Sequence, residues 1–172
     1  MSRRFTLPLL VLLVALTLSI AGAAITTTVD PTQAPQGTHL QTGAESCSVG
    51  TDLSVSCTTF ELAGVGHIDA DVALTATYSA TIDCNNPGNN RNNPIESHTT
   101  TFSASTSVTV TSAKNGRLSV PPQAVSPFTV VQGCPNPNWT PVIREGTLVL
   151  VSFSETLTFS GFGAPYLSIV GP

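Results

Sequence analysis

The sequence predicts an all-β protein: a single antiparallel β-sandwich, Ig-like or jelly-roll-like, with about seven or eight strands and two disulfides. Two segments, 72–83 and 99–112, alternate between apolar and polar residues, which is the period of a strand with one buried face. Outside the first 24 residues no segment has the 3.6-residue period of a helix, and turn residues separate the candidate strands.

The two alternating segments define which side chains face the core. In 72–83 the pattern places Tyr78 and the aliphatic residues inside and the hydroxyl residues in water. In 99–112 the inward residues are predicted to be Phe102, Ala104, Val108 and Val110.

Further strands are predicted over 53–62, 128–131, 148–159 and 166–170. In 148–159 one face is predicted to be apolar and to be interrupted by Glu155, near an edge or a bulge. The residues assigned to that face are Val149, Val151, Phe153, Leu157 and Phe159. Lys114-Asn115-Gly116-Arg117 predicts a hairpin with a type I′ turn, because Asn-Gly tolerates positive φ.

The N-terminus has the pattern of a secretory signal peptide. Arg3 and Arg4 precede an apolar run over 7–20, and small residues follow, with cleavage expected after Ala23 or Ala24. The run is shorter than the roughly 20 residues that a membrane-spanning helix needs. We therefore divide the chain into a signal peptide (1–24), an extended lead-in (25–38) and a β-sandwich domain (39–172), and expect a secreted, extracellular protein without a membrane anchor after cleavage.

Charge excludes two classes of partner. After residue 24 the cations are few and scattered: Arg91, Lys114, Arg117 and Arg144. Four separated cations cannot form the basic face that phosphate binding requires, so we expect neither nucleic acid nor an anionic membrane surface as a partner.

Four cysteines allow three disulfide connectivities. Cys47 and Cys57 flank a short turn sequence, which favours a local bridge between them and leaves Cys84 and Cys134 as the second pair. In an exported protein we assign both bridges a structural role.

The second bridge would place two Asn/Pro loops side by side, 84–94 and 134–139. Amide groups, one guanidinium and the only Trp could together hold a sugar by stacking and hydrogen bonding. The alternative interpretation is that Asn and Pro simply form turns and that the Trp covers the core. The candidate ligand-binding residues are Asn85, Asn86, Asn89, Asn90, Arg91, Asn136, Asn138 and Trp139.

Metal and catalytic sites are weakly indicated. His67, Asp69 and Asp71 share one strand face and could hold a cation, but this face continues as a solvated one, so an exposed polar strand start is the favoured interpretation. A glycoside hydrolase would need paired carboxylates, and Glu155, on an apolar face, is the one whose pKa burial would raise. We expect no enzyme, no metal and no cofactor.

These observations predict a non-catalytic extracellular structural or binding module that contacts other proteins or itself through hydroxyl-rich faces and strand edges. A small carbohydrate-binding module that uses the Asn/Trp loops is the first alternative, and a secreted glycoside hydrolase is the second. The expected partners are an extracellular polysaccharide, a protein, or a second copy of the chain.

Overall fold

A computed structural model describes residues 24–86, 88, 94–127 and 133–172. These residues form twelve strands and one turn of 3-10 helix (Pro31–Gln33), and all strand pairs are antiparallel. The all-β, antiparallel fold with two disulfides is therefore confirmed. None of the described residues belongs to a helix long and apolar enough to cross a membrane.

The strands are numbered in chain order. They are β1 (Thr26–Val29), β2 (His39–Gly43), β3 (Cys47–Val49), β4 (Val55–Cys57), β5 (Phe60–Ala63), β6 (Ala70–Asn85), β7 (Glu96–Val110), β8 (Arg117–Val120), β9 (Gln123–Val125), β10 (Thr140–Ile143), β11 (Val149–Phe159) and β12 (Leu167–Gly171).

The large sheet is built around β6, the longest strand. On one side β6 pairs with β7 from Ala70 to Cys84. On its other side β11 and β10 pair with successive parts of it, and β12 and β1 extend the sheet beyond β11. This arrangement makes β7, β1 and the short β10 the outer strands of the large sheet.

Two small sheets form the second layer of the sandwich, in the orders β2-β5-β8 and β3-β4-β9. Their buried side chains and those of the large sheet form one apolar core, in which Tyr78, Phe159, Leu62 and Leu118 are almost completely buried. The Tyr78 hydroxyl crosses between the layers and donates a hydrogen bond to the carbonyl of Leu53 (3.1 Å).

The period-two predictions for the two long strands are confirmed. Even-numbered residues of β6 from Val72 to Ile82 are buried, and Phe102, Ala104 and Val110 of β7 face the same core. The predicted strand over 53–62 is instead two strands, β4 and β5, separated by Thr58 and Thr59.

The prediction for the inner face of β11 is wrong at its first two residues. Val149 and Val151 are 50% and 48% exposed, whereas Phe153 is buried. The register between β11 and β6 shifts between Leu150 and Ser152, so Val151 is the extra residue of a bulge. Successive side chains of a strand point to opposite faces of the sheet. One inserted residue therefore moves the side chains that precede it to the opposite face.

The type I′ turn at 114–117 is also wrong. Only Gly116 has a positive φ (+74°), and the Gly116 amide donates to the carbonyl of Ala113 (2.9 Å). This is the geometry of a type I turn followed by a left-handed glycine. The turn joins β7 to β8, which belongs to a small sheet and pairs with β5.

The lead-in predicted over 25–38 contributes β1, whose residues Thr26–Val29 pair with β12. The predicted strand over 128–131 lies outside the described residues, as does the signal peptide except for Ala24. The strand number exceeds the predicted seven or eight because the second layer consists of six strands of only three to five residues.

Candidate functional site

The outer face of the large sheet is an uncharged array of hydroxyl groups, which we call the hydroxyl face. It consists of outward-facing Ser and Thr residues on β6, β7 and β11: Thr75, Thr77, Ser79, Thr81, Thr99, Thr101, Ser103, Ser105, Ser107, Ser152, Ser154 and Thr156. The β7 members are all exposed, and those on β6 and β11 are exposed or half-buried.

Strand register arranges these hydroxyl groups in rows across the sheet. Ser154, Thr75 and Ser105 stand opposite one another in one row, and Ser152, Thr77 and Ser103 in the next. Neighbouring strands of a sheet lie about 4.8 Å apart, so each row repeats a hydroxyl at that interval. Within the second row Thr77 and Ser103 are hydrogen bonded (3.0 Å between oxygens). Each hydroxyl can donate and accept a hydrogen bond, so every row of the face presents both donors and acceptors.

Among the residues that the structure describes, charged groups lie only at the two ends of this face. At one end Asp71 accepts a hydrogen bond from the Thr109 hydroxyl (2.6 Å). At the other end Asp83 pairs with Arg144 (2.7 Å) and accepts from the Ser97 hydroxyl (2.7 Å). Both carboxylates thus have partners within the protein, and the centre of the face is neutral.

The hydroxyl face continues around β7 into a groove. The groove has a volume of about 470 Å³ and lies where β7 meets β4 and β9, with Ala104, Ala124 and Val125 as apolar lining. Its hydroxyl lining consists of Ser54, Ser56, Ser105, Thr106 and Ser126. No charged side chain from the described part of the chain lines the groove, so the hydroxyl face and the groove form one uncharged surface.

The Cys84–Cys134 disulfide is formed as predicted, and it joins the end of β6 to the segment that begins at Cys134. Beyond the disulfide, Thr140 pairs with Asn85 and Pro141 with Cys84, so the start of β10 lies against the end of β6. Asn89, Asn90 and Arg91 lie outside the described residues.

The described Asn side chains of these loops make mostly local contacts. The Asn136 side chain accepts from the Asn138 amide (2.9 Å), and that of Asn86 accepts from the Gly88 amide (3.3 Å). Asn85 is buried, and its side-chain oxygen has no hydrogen-bond partner among the described residues. Trp139 is half-buried and packs against the core. Such Asx turns and packing are what the turn-forming interpretation requires.

His67, Asp69 and Asp71 do not form a metal-binding cluster. His67 precedes β6 and is exposed, the Asp69 carboxylate accepts from the Ser112 amide (2.9 Å), and Asp71 binds Thr109. Both carboxylates therefore connect the start of β6 to the end of β7.

Glu155 is buried, and the sequence predicted its apolar surroundings but not its contacts. It is 1% exposed, and burial raises its pKa to about 7, in agreement with the predicted direction. Its Oε2 lies 3.4 Å from Sγ of Cys47, which is bonded to Cys57. Its Oε1 has no hydrogen-bond partner among the described residues. Sequence reasoning missed the contact with the disulfide, because residues 47 and 155 are brought together only by the packing of the two layers.

Fold and surface define an all-β sandwich with two disulfides and an uncharged hydroxyl face. Comparison of the chain with protein-family models, curated proteins and solved structures finds no match in any of the three.

Proposed function

We propose that this protein is a secreted, non-catalytic structural or binding module whose contact surface is the hydroxyl face. One observation carries the proposal: between Asp71 and Asp83 the outer side of β6 and β7 bears exposed or half-buried hydroxyl groups and no charge. Two disulfides are typical of proteins from an oxidising compartment, which supports an extracellular location.

The chemistry of the face favours an uncharged partner rich in hydroxyl or amide groups. Such a partner exchanges hydrogen bonds to water for equivalent bonds across the interface, and no unpaired charge is desolvated. An extracellular polysaccharide, or the same face of a second copy, has this chemistry.

Strand β7 supports contact with another protein or a second copy. It pairs only with β6 among the described residues, and it contains neither Lys nor Pro, the residues that commonly protect edge strands. An incoming strand could therefore pair with the backbone of β7 beside the hydroxyl face.

Placing a cation on the hydroxyl face tests the proposal. Ser105→Lys puts a charge at the β7 end of a row, and Ser119→Lys places the same charge on an exposed position of β8 in a small sheet. We expect wild type and Ser119→Lys to deplete from solution onto a neutral polysaccharide, or to self-associate in light scattering, and Ser105→Lys to lose that behaviour. A wild-type protein that is monomeric at high concentration and retained by no polysaccharide would overturn the proposal.

The paired Asn/Pro loops give a second candidate function, a small carbohydrate-binding module. It is favoured by the Cys84–Cys134 bond, which holds the exposed Asn138 and the half-buried Trp139 beside the end of β6. Trp139→Ala should abolish retention on chitin, cellulose, xylan or a cell-wall preparation while the protein stays folded. Unfolding of this variant would instead assign Trp139 to the core.

A further inference from the structure

Strand β7 presents a long backbone edge. All of its residues from Glu96 to Val110 pair with β6 without a register shift. Within the described ranges β6 is its only ladder partner, so about half of its backbone N–H and C=O groups point away from the sheet. From Ser97 to Val110 the strand contains no Lys, Arg, Asp, Glu or Pro and no bulge, the features that normally keep other chains from an edge.

The groove beside β7 opens on this backbone edge. Three consecutive residues of the strand, 104–106, line it. Since successive side chains of a strand point to opposite faces, a cavity that touches all three lies beside the edge and not over one face. The rest of the lining comes from β4, β9 and the residues next to them, with Ser56 and Ala124 opposite each other in that ladder. The groove therefore lies where an additional strand would pair with β7.

The lining of the groove consists of small, uncharged side chains. Ser56 and Ala124 are exposed, and the hydroxyl groups of Ser56, Ser105 and Thr106 make no hydrogen bond to any other described residue. The Ser54 hydroxyl donates to the Asp52 carboxylate (2.7 Å). Side chains that carry only methyl or hydroxyl groups fit such a lining, whereas a charged side chain would lose water there without gaining a partner.

We propose that this groove binds an extended, uncharged segment of a partner polypeptide, which adds a strand to β7. The inference rests on the proposed function as a binding module and names the class of partner at the β7 side of the uncharged surface. A peptide backbone is the matching ligand, because its N–H and C=O groups repeat at the interval of the strand itself, about 3.4 Å per residue. Hydrogen bonds along the edge hold the segment, and the groove selects the small side chains that point into it.

Binding of a defined peptide to the folded, oxidised protein tests the inference. The probe is a synthetic peptide in which Thr and Ala alternate, acetylated and amidated so that it carries no charge. The control peptide has Pro in place of each Ala, and Pro cannot donate to a ladder. By calorimetry we expect the probe to bind at least about ten-fold more tightly than the control, a difference of about 1.4 kcal/mol. Equal binding of the two peptides, or no binding of the probe, would overturn the inference.

Hydrogen exchange locates the bound peptide. We expect the probe to slow exchange of the amides of β7 in the range 103–107, because those that face the open edge gain an acceptor. Protection that is confined to other strands would overturn the assignment of the site to β7.

Filling the groove tests its role with variants. Ala124→Phe and Ser56→Phe each place a ring at an exposed lining position, and Ser119→Phe places the same ring at an exposed position of β8 outside the groove. We expect the two groove variants to bind the probe at least about ten-fold more weakly and Ser119→Phe to bind it like the wild type. Unchanged binding by both groove variants, with circular dichroism showing that they are folded, would overturn the inference.

The hydroxyl face is tested on the same samples without peptide, by retention on a neutral polysaccharide and by light scattering. A wild type that is retained but binds no probe overturns only the peptide site. A wild type that binds the probe but is neither retained nor self-associated overturns the role of the hydroxyl face and supports the peptide site. A dimer that excludes the probe would assign the β7 edge to a second copy of the chain and would overturn the inference.

Discussion

Arg144 holds the carboxylate of Asp83 with two nitrogens, Nη2 at 2.7 Å from Oδ1 and Nε at 3.2 Å from Oδ2. The same Nη2 donates to the Ser97 hydroxyl (2.9 Å), so the guanidinium connects β6 and β7 from the loop that follows β10. This network closes one end of the hydroxyl face and neutralises the carboxylate there.

We expect Asp83→Asn and Arg144→Gln each to lower the free energy of unfolding slightly, because solvent screens an exposed ion pair. Hydrogen bonds from Arg144 and Ser97 lower the pKa of Asp83, so its contribution is present at neutral pH and is lost as pH falls through its folded-state pKa. Urea unfolding of both single variants and the double variant measures the coupling. Strictly additive losses would show that the pair contributes nothing.

Glu155 should make the protein less stable as pH rises from about 4.5 to about 7. Over that window the unfolded chain has lost the Glu155 proton while the folded protein retains it, so stability falls with pH, by roughly 2–3 kcal/mol for a shift of this size. Thermal unfolding at pH 5 and pH 8 measures the fall, which Glu155→Gln should reduce by that amount. Parallel curves for wild type and variant would contradict this expectation.

The two disulfides should contribute unequally to stability. Their sequence separations are 10 and 50 residues. Chain entropy alone predicts losses of about 3 kcal/mol for Cys47→Ser with Cys57→Ser, and about 4 kcal/mol for Cys84→Ser with Cys134→Ser. Urea unfolding of the two double variants measures both losses. A larger loss for the shorter loop would mean that contacts within the folded state outweigh loop entropy.

Gly64, at the end of the β2–β5 ladder, should tolerate replacement by a residue with a Cβ poorly. Its φ is +77°, and a Cβ there would overlap the carbonyl oxygen of Gly37. Gly64→Ala is therefore expected to cost about 3 kcal/mol or more, because backbone must move. Gly66 is the matched control, with φ +64° and open space around it, and Gly66→Ala should cost only about 1 kcal/mol. Similar melting temperatures for the two variants would contradict the steric argument.

Sequence patterns predicted the parts of this fold that repeat over many residues. The alternation through Tyr78 and Phe102 extends over two long paired strands, so the period was unambiguous and the stacked rings lie in the core as expected. The turn sequence between Cys47 and Cys57 correctly indicated their pairing. A single inserted residue such as Val151 reverses the face of its neighbours without leaving a compositional signal.

The candidate sites were less predictable, because they depend on pairing between distant segments. Alternation indicated hydroxyl-rich outer faces on two strands, but only the register aligns Ser154 with Thr75 and Ser105 in one row. Glu155 was recognised as a carboxyl group on an apolar face, whereas its contact with Cys47 depends on how the two layers pack. The short strands of the second layer carry too few residues for any period to be detected.

The pairing of β1 with β12 also sets a temporal order on folding. A ribosome delivers the chain from its N-terminal side, so Thr26–Val29 emerge long before Leu167–Gly171, their partners in the ladder. Until then β1 has no backbone partner, and the sheet edge that β12 will occupy beside β11 is open to other chains. Closure between such distant segments is intrinsically slow. Maturation of this protein therefore includes a late step, in which the first strand docks only after the last has been released.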